Sequence, residues 1–316
     1  MNIYNKKYNF LKFKKSFLAM STILFAISLS AFFTKGLNLG VDFKGGTVIE
    51  MKLAQPYNSE DIRKSLLKIN LGDVVVKEFG SSREFLATIE KKGQDNDFVG
   101  SIKKHLESDL AREFDFRRVE VVGSKISKEL TKSGLYSVVL ALFLMLIYIW
   151  IRFEWQFSLG SILALIHDVV ITIGAFSLVG FEFNLSIVAA ILTIVGYSMN
   201  DTVVIYDRIR EFLKIDDRQD IQELINDAVN STLPRTLKTS VTTLLALVSI
   251  YAFGGEILKG FSFALIWGVL IGTYSSIFVA APILVFFKVK RNWDEEVDTT
   301  PYILLLLYLI KLRYFL

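Results

Sequence analysis

The chain has 316 residues, 52% of them hydrophobic, with a formal net charge of +4, two histidines and no cysteine. So small and dispersed a charge, with no basic stretch interleaved with stacking aromatics, excludes a nucleic-acid reading. The lack of cysteine excludes disulfides and thiol chemistry and, with only two histidines, argues against a structural zinc site.

The apolar residues are gathered into long blocks, and a membrane span takes roughly 20 mostly apolar residues. The first block, Ser16–Phe33, follows Lys12, Lys14 and Lys15. It exceeds the roughly 7–15-residue core of a secretory signal, so it reads as a retained helix one (16–35) after an N-terminal segment 1–15. Ser28-Leu29-Ser30 offers a cleavage site as the alternative.

Residues 36–132 are polar enough to form a water-soluble domain. Thr47–Leu53 alternates as a strand. Ser59 is placed to cap a helix to about Ile69, with Ile62, Leu66 and Ile69 on one face. Asp73–Phe79 and Glu84–Ile89 read as strands around a turn at Gly80–Arg83. Asp97 caps a second helix bearing Phe98, Ile102, Leu106 and Leu110, and Phe116–Val122 is the last strand. The order β-α-β-β-α-β predicts a ferredoxin-like α+β domain. That fold specifies no function by itself, and the domain carries no catalytic constellation. His105 reads as a solvated surface residue.

Five further blocks follow within 133–287: Gly134–Ile151, Phe157–Gly180, Leu185–Ile205, Thr236–Phe253 and Phe261–Phe287, with a loop at 206–234 and a tail at 288–316. The predicted fold class is therefore a six-helix membrane bundle with its α+β domain between helices one and two. Lys and Arg mark the inner side of a membrane. Lys6, Lys7, Lys12, Lys14 and Lys15, then Arg208, Arg210, Lys214 and Arg218, then Lys288, Lys290 and Arg291 fall on one side. The turn Phe181–Asn184 has no basic residue, and Gly254–Gly260 has only Lys259. Both termini are thus expected in the cytoplasm and the domain outside. After Asp298 the run Tyr302–Ile310 is too short to span and reads as an interfacial or disordered tail, or as an altered reading frame.

A charge within a span costs on the order of 2.5–3.5 kcal/mol on insertion scales, so each one is a candidate for function. His167 and Asp168 lie about ten residues, roughly 15 Å, into helix three. A helix-packing hydrogen bond is the alternative to a functional role there. Asn200, Asp201 and Thr202 lie towards the inner end of helix four, and Arg235 opens helix five just after Pro234. Thr239, Ser240, Thr242 and Thr243 follow above it. Asp201 and Arg235 are placed at similar depth with opposite charge; two separate interfacial anchors are the alternative. A carboxylate alternately paired with and released from arginine gains and loses a proton, because a cation favours its ionised form and burial its neutral form. Arginine keeps its charge throughout. Gly45 and Gly46 suit a hinge or tight turn after helix one, and Gly174, Gly180 and Gly196 suit close helix packing.

Four segments carry a family resemblance. GVDFKGGTVIE (40–50) resembles the glycine-rich signature of the SecD/SecF protein-export membrane family, part of the resistance-nodulation-division superfamily. ALIHDVVIT (164–172) resembles its helix-three motif. AAILTIVGYSMNDTVVIYDRIRE (189–211) and LPRTLKTSVTTL (233–244) resemble the SecF-type motifs of helices four and five. Together with the six helices and the large first outside loop, the resemblance spans residues ~10–293 in the family's order. The resemblance implies one six-helix half of a transporter that pairs with a SecD half and the SecYEG channel. Such a subunit uses the proton-motive force to promote preprotein translocation across a bacterial inner membrane, with YajC and SecA as further candidate partners. It implies Asp201 as the protonatable carboxylate and Arg235 as its switching partner. His167, Asp168, Asn200, Thr202, Thr239 and Thr243 would be supporting polar groups, and Asp42, Gly45 and Gly46 belong to the signature. No cofactor beyond the coupling proton and no enzymatic activity is implied. The alternatives are a proton-coupled exporter of small molecules or lipids, and a structural subunit with no titrating group. The apolar tail departs from the family pattern.

Overall fold

The computed structural model describes residues 8–90, 97–215, 220–287 and 289. Lys6, Lys7, Arg218, Lys288, Lys290, Arg291 and the apolar tail lie outside them. Among the described residues, six helical spans are long and apolar enough to cross a membrane: Leu11–Lys35, Ser124–Arg152, Trp155–Val179, Leu185–Ile215, Ile221–Phe253 and Ile257–Phe286. Helix α1 (Lys14–Lys35) runs unbroken through Ser28–Ser30.

The soluble domain comprises a single turn α2 (Val41–Lys44), β1 (Gly46–Lys52), α3 (Ser59–Leu67), β2 (Val74–Phe79), β3 (Ser81–Ile89), α4 (Phe98–Leu110) and β4 (Asp115–Val122). The sheet order is β2-β3-β1-β4 and all pairs are antiparallel, which is the ferredoxin-like arrangement. Ile49 stands opposite Ala87 on one side and Val119 on the other. Alternation puts Ile49, Met51, Phe85, Ala87 and Ile89 on one face, where Ile62, Leu66, Ile102 and Leu106 of the two helices cover them completely.

Local details differ from the sequence expectation. Asn58, not Ser59, caps α3: its backbone is extended and its side chain accepts from the Glu60 amide. Asp97 holds the cap position of α4 without a side-chain capping bond. The β2–β3 turn shrinks to Gly80 (φ 78°), because Phe79 pairs directly with Ser81. His105 is half-buried, and its Nε2 donates to the Ser65 carbonyl at 3.0 Å, tying α4 to α3.

Helices α5 (Ser124–Arg152), α6 (Trp155–Val179), α7 (Leu185–Ile215), α8 (Ile221–Phe253) and α9 (Gly255–Ser275) complete the bundle, ending in a π turn (Ser276–Ala280) and α10 (Ala281–Phe286). Pro282 has no amide hydrogen to continue the ladder, which accounts for the widened turn before it. The described parts of 206–234 are helix, not loop. The 31 residues of α7 reach about 46 Å, well beyond a hydrocarbon layer of about 30 Å. Tyr206, Ile209 and Leu213 on α7 and Leu224, Ile225, Ala228 and Val229 on α8 are buried, so the two extensions share the bundle's apolar core. Pro234 and Arg235 accordingly sit inside α8, not at its start.

Helices α6, α7 and α9 form the buried centre, while α1, α5 and α8 present their apolar sides outward. Close crossings rest on small residues, since apolar area alone does not drive helices together in lipid. Gly174 lies directly on Ser28 of α1, Gly268 on Ile194, and Gly272 on Ser198. Gly180 and Gly196 have no atom within 4 Å of a built Cβ; Gly180 (φ 79°) ends α6 in a left-handed turn, the role that favours glycine there.

The uncovered sheet face stands over the end of the bundle and encloses a cleft of about 420 Å³ with Glu50, Lys77, Arg118 and Glu120 above and Glu182 and Lys259 below. Burial holds the Glu182 carboxyl above its ordinary 4.5, against the opposing pull of Lys77.

Two predictions follow from this packing. Gly174→Ala forces a Cβ into Ser28 and should cost about 1–3 kcal/mol, read as a lower melting temperature of the purified protein. Gly196→Ala, in open space, should not lower it. For Glu182, the folded state holds its proton more tightly than the unfolded chain. Its contribution is therefore complete below pH 4.5 and declines as pH rises through the folded-state value. Thermal melts across the acid range should show that decline in the wild type and lack it in Glu182→Gln.

Candidate functional site

At the centre of the bundle the only carboxylate of α6, Asp168, is 1% exposed and surrounded by donors from three helices. Its Oδ2 accepts from Ser198 Oγ of α7 at 2.6 Å and from Ser275 Oγ of α9 at 2.7 Å. Its Oδ1 accepts from His167 Nδ1 at 2.9 Å. Three donors on one carboxylate offset much of the cost of holding it in an apolar interior.

The polar seam continues one turn further. Thr202 Oγ1 meets Ser276 Oγ at 2.9 Å, and the π turn aims Ser275 and Ser276 into the same seam. Ser198 and Thr202 share a face of α7 at the i, i+4 spacing. On the other side His167 stacks on Tyr274, with ring centroids 6.4 Å apart. The Tyr274 hydroxyl donates to the Phe17 carbonyl and accepts from Ser21 Oγ, each at 2.9 Å, so α1 is joined to the cluster.

Asp201 lies sixteen residues, about 24 Å, along α7 and is 3% exposed. Its Oδ1 receives a long contact from Asn200 Nδ2 at 3.5 Å, and its Oδ2 is buried without a hydrogen-bond partner among the described residues. Arg235 of α8 is exposed and lies near enough for its field to reach Asp201. Among the described residues the two form no ion pair within 4.0 Å. The expected run of hydroxyls above Arg235 is also not continuous: Thr239 bonds back to the Arg235 and Thr236 carbonyls, and Thr243 accepts from Tyr197 at 3.4 Å.

The structure thus gathers His167, Asp168 and Thr202 into one connected cluster. Asp201 stands beside it, while Arg235, Thr239 and Thr243 remain on the neighbouring helix. Ser198, Ser275 and Ser276 were missed by sequence reasoning. Ser198 could have been found, standing four residues before Thr202 inside a span; the Ser275-Ser276 pair gives no local sign that it faces a carboxylate. No group of three or more His, Asp or Glu placed to hold a metal occurs among the described residues.

The chain resembles known proteins along most of its length. Residues 102–290 match the family model described as protein export membrane protein SecD/SecF, C-terminal, and residues 30–56 match the SecD/SecF GG motif. The chain belongs to the SecD/SecF family of protein-export membrane proteins. Protein translocase subunit SecF of Desulfurispirillum indicum is 41% identical over 286 residues, covering 88% of this chain and 91% of that protein. SecF of Magnetococcus marinus is 44% identical over 301 residues, covering 92% and 96%. The crystal structure of SecDF from Thermus thermophilus, a translocon-associated membrane protein, overlays with a TM-score of 0.83 at 34% identity, covering 91% of this chain. SecDF in a super-membrane-facing form overlays less closely, at 0.66 and 32% identity, covering 90%. The chain spans 40% and 39% of those two SecDF chains. As a SecD/SecF-family member it is a multi-pass inner-membrane protein with a periplasmic α+β domain between its first two spans, and its role is transport, not catalysis.

Removing one donor from the buried Asp168 carboxylate should be costly. Ser198→Ala is expected to lower stability by about 1–3 kcal/mol, measured by thermal or denaturant unfolding of the purified protein. Thr243→Ala, whose contact is long and peripheral, should lie within about 0.5 kcal/mol of wild type.

Proposed function

We propose that this chain is the proton-motive-force-coupled accessory subunit of a Sec preprotein translocase, acting with a SecD half at the SecYEG channel. YajC, SecA and the emerging preprotein are the further partners of this reading, and both termini face the cytoplasm. The observation that carries the mechanism is Asp201: a carboxylate buried in a span, with one oxygen unpartnered and a permanent cation near but not touching it. Such a group has two accessible pairings. Ionised, it is drawn to Arg235; protonated, it no longer is, and α7 and α8 are free to shift against each other. Each proton crossing 100 mV supplies about 2.3 kcal/mol.

In this reading Asp168 has a different part. Its three donors come from three helices and hold it in place, so it serves as the fixed point that registers α6, α7 and α9 while Asp201 changes state. His167, Thr202 and the serines hold that point. Asn200 steadies Asp201, and Thr239 and Thr243 pack α8.

A proton-coupled exporter of small molecules or lipids is the second reading. The near-complete match to SecF subunits, through the small periplasmic domain as well as the spans, favours the first.

Asp201→Asn should abolish the part of preprotein translocation that depends on the proton-motive force, leaving the ATP-driven part, in inverted membrane vesicles carrying the full translocase. Wild-type translocation by Asp201→Asn at normal membrane levels would reject the proposed mechanism.

A further inference from the structure

The signature segment after α1 is more than a flexible turn. Gly36 (φ 69°) ends α1, and residues 37–40 then run beside the α6–α7 turn. Leu39 and Phe183 form a parallel bridge, with Gly40 N donating to the Phe183 carbonyl at 2.9 Å and Phe183 N to the Asn38 carbonyl at 2.8 Å. The Asn38 side-chain amide adds a bond to the Gly180 carbonyl at 3.2 Å. A Cβ on Gly40 would meet the Glu182 carboxylate at 2.5 Å and the Asn184 Cβ at 3.3 Å, so any larger residue would have to displace the Glu182 side chain from the junction.

The next contact decides what the segment does. Asp42 Oδ2 accepts from the backbone amide of Leu185, the first residue of α7, at 2.8 Å. A helix start leaves its first amides without intrahelical partners and carries partial positive charge. Asn184 serves one of them, donated by Ile187 at 3.3 Å. Asp42 serves another from a different part of the chain. Phe43 reinforces the junction by packing on Phe183, with ring centroids 5.9 Å apart. After Asp42 the chain needs only Phe43, Lys44 and Gly45 to reach Gly46, the first residue of β1. Gly45 (φ 77°) and Gly46 (φ 135°) turn it there, with the Ile89 carbonyl 2.5 Å from where a Gly46 Cβ would stand. Strand β1 is central, paired to β3 on one side and β4 on the other.

We propose that Asp42 is a positioning residue for energy coupling: its bond to the α7 amide is the joint through which α7, the helix carrying Asp201, moves the periplasmic sheet. The physical basis is stiffness at both ends. An α-helix transmits an axial displacement with little loss over the sixteen residues from Asp201 to Leu185. A central strand passes a pull at Gly46 to the whole sheet. The short segment between them has little slack, because Asn38, Gly40 and Asp42 are each tied to the 180–185 stretch by a backbone or side-chain bond. The signature is then explained residue by residue: Gly40 for close approach, Asp42 for the cap, Gly45 and Gly46 for the turn into β1. The inference goes beyond the proton reading and does not require it, since the joint exists whatever displaces α7.

The chain lacks cysteine, so spin labels can be placed at will. Lys104→Cys on α4 and Ser249→Cys on α8, both exposed, report the distance between domain and bundle in the complete reconstituted translocase. Asp42→Ala should broaden that distance distribution and lose the translocation that depends on the proton-motive force, at normal membrane levels and with ATP-driven translocation intact. Asp42→Asn keeps an oxygen acceptor for Leu185 N and should retain both the narrow distribution and the translocation. A merely structural residue would change abundance or melting temperature without this pattern. The proposal is overturned if Asp42→Ala translocates normally, or if it loses translocation with an unchanged distribution. It is overturned equally if Asp42→Asn accumulates but fails to translocate, an arm that decides the question even where the alanine variant does not fold. Broadening by Asp42→Ala alongside normal translocation by Asp201→Asn would leave the joint standing and remove the proton reading alone.

Discussion

A carboxylate held in the middle of an apolar bundle is the constraint around which this molecule is organised. Asp168 would cost several kcal/mol if left bare, and the fold meets that demand by converging helices that are far apart in the chain. α7 supplies Ser198, α9 supplies Ser275, and the preceding residue supplies a histidine. Donors from three directions fix the rotation and depth of each helix around its axis. Small residues at the crossings follow from the same requirement: hydrogen bonds of 2.6–2.7 Å between side chains as short as serine and aspartate need backbones in near contact, and Gly272 against Ser198 provides it. The π turn before Pro282 belongs to this arrangement too, because it sets the directions of two consecutive serines at the point where both are used.

Asp201 stands one helical turn from that fixed centre in a contrasting environment. It is as well buried but poorly bonded, with a cation at a distance instead of donors in contact. The contrast between a saturated carboxylate and an unsaturated one suits a division of labour, in which one registers the helices and the other changes state. The periplasmic domain sits directly on the outer end of the helix that carries Asp201. A short, hydrogen-bonded segment, not a flexible linker, joins them. Glu182 lies in the same junction, where burial opposes its ionisation.

Much of this was legible in the sequence, for reasons that can be named. Hydrophobic blocks of span length located the six helices, because a single segment in lipid can satisfy its own backbone only by forming a helix. Alternation in Thr47–Leu53 and helical spacing at Ile102, Leu106 and Leu110 gave the domain's order, since one buried face imposes its period on the residues that form it. Boundaries were less legible. The extension of α7 to Ile215 and of α8 back to Ile221 depends on two polar-looking helices burying narrow stripes together with the bundle core, which neither segment announces alone. Likewise Asn58 displaced Ser59 as a cap because backbone angle, not residue type, chose between two adequate side chains.

By itself the sequence determined the number of spans, the place of the soluble domain, and which ionisable groups lie in the membrane, because each follows from local composition and period. Which of those groups touch was decided only by the tertiary structure. It brought Asp168 to Ser198 and Ser275, kept Arg235 out of contact with Asp201, and set Asp42 on the first amide of α7. The reason is geometric: hydrogen-bond partners 30, 107 and 143 residues apart are selected by helix rotation, depth and crossing distance. Those quantities exist only once all the helices are packed at the same time.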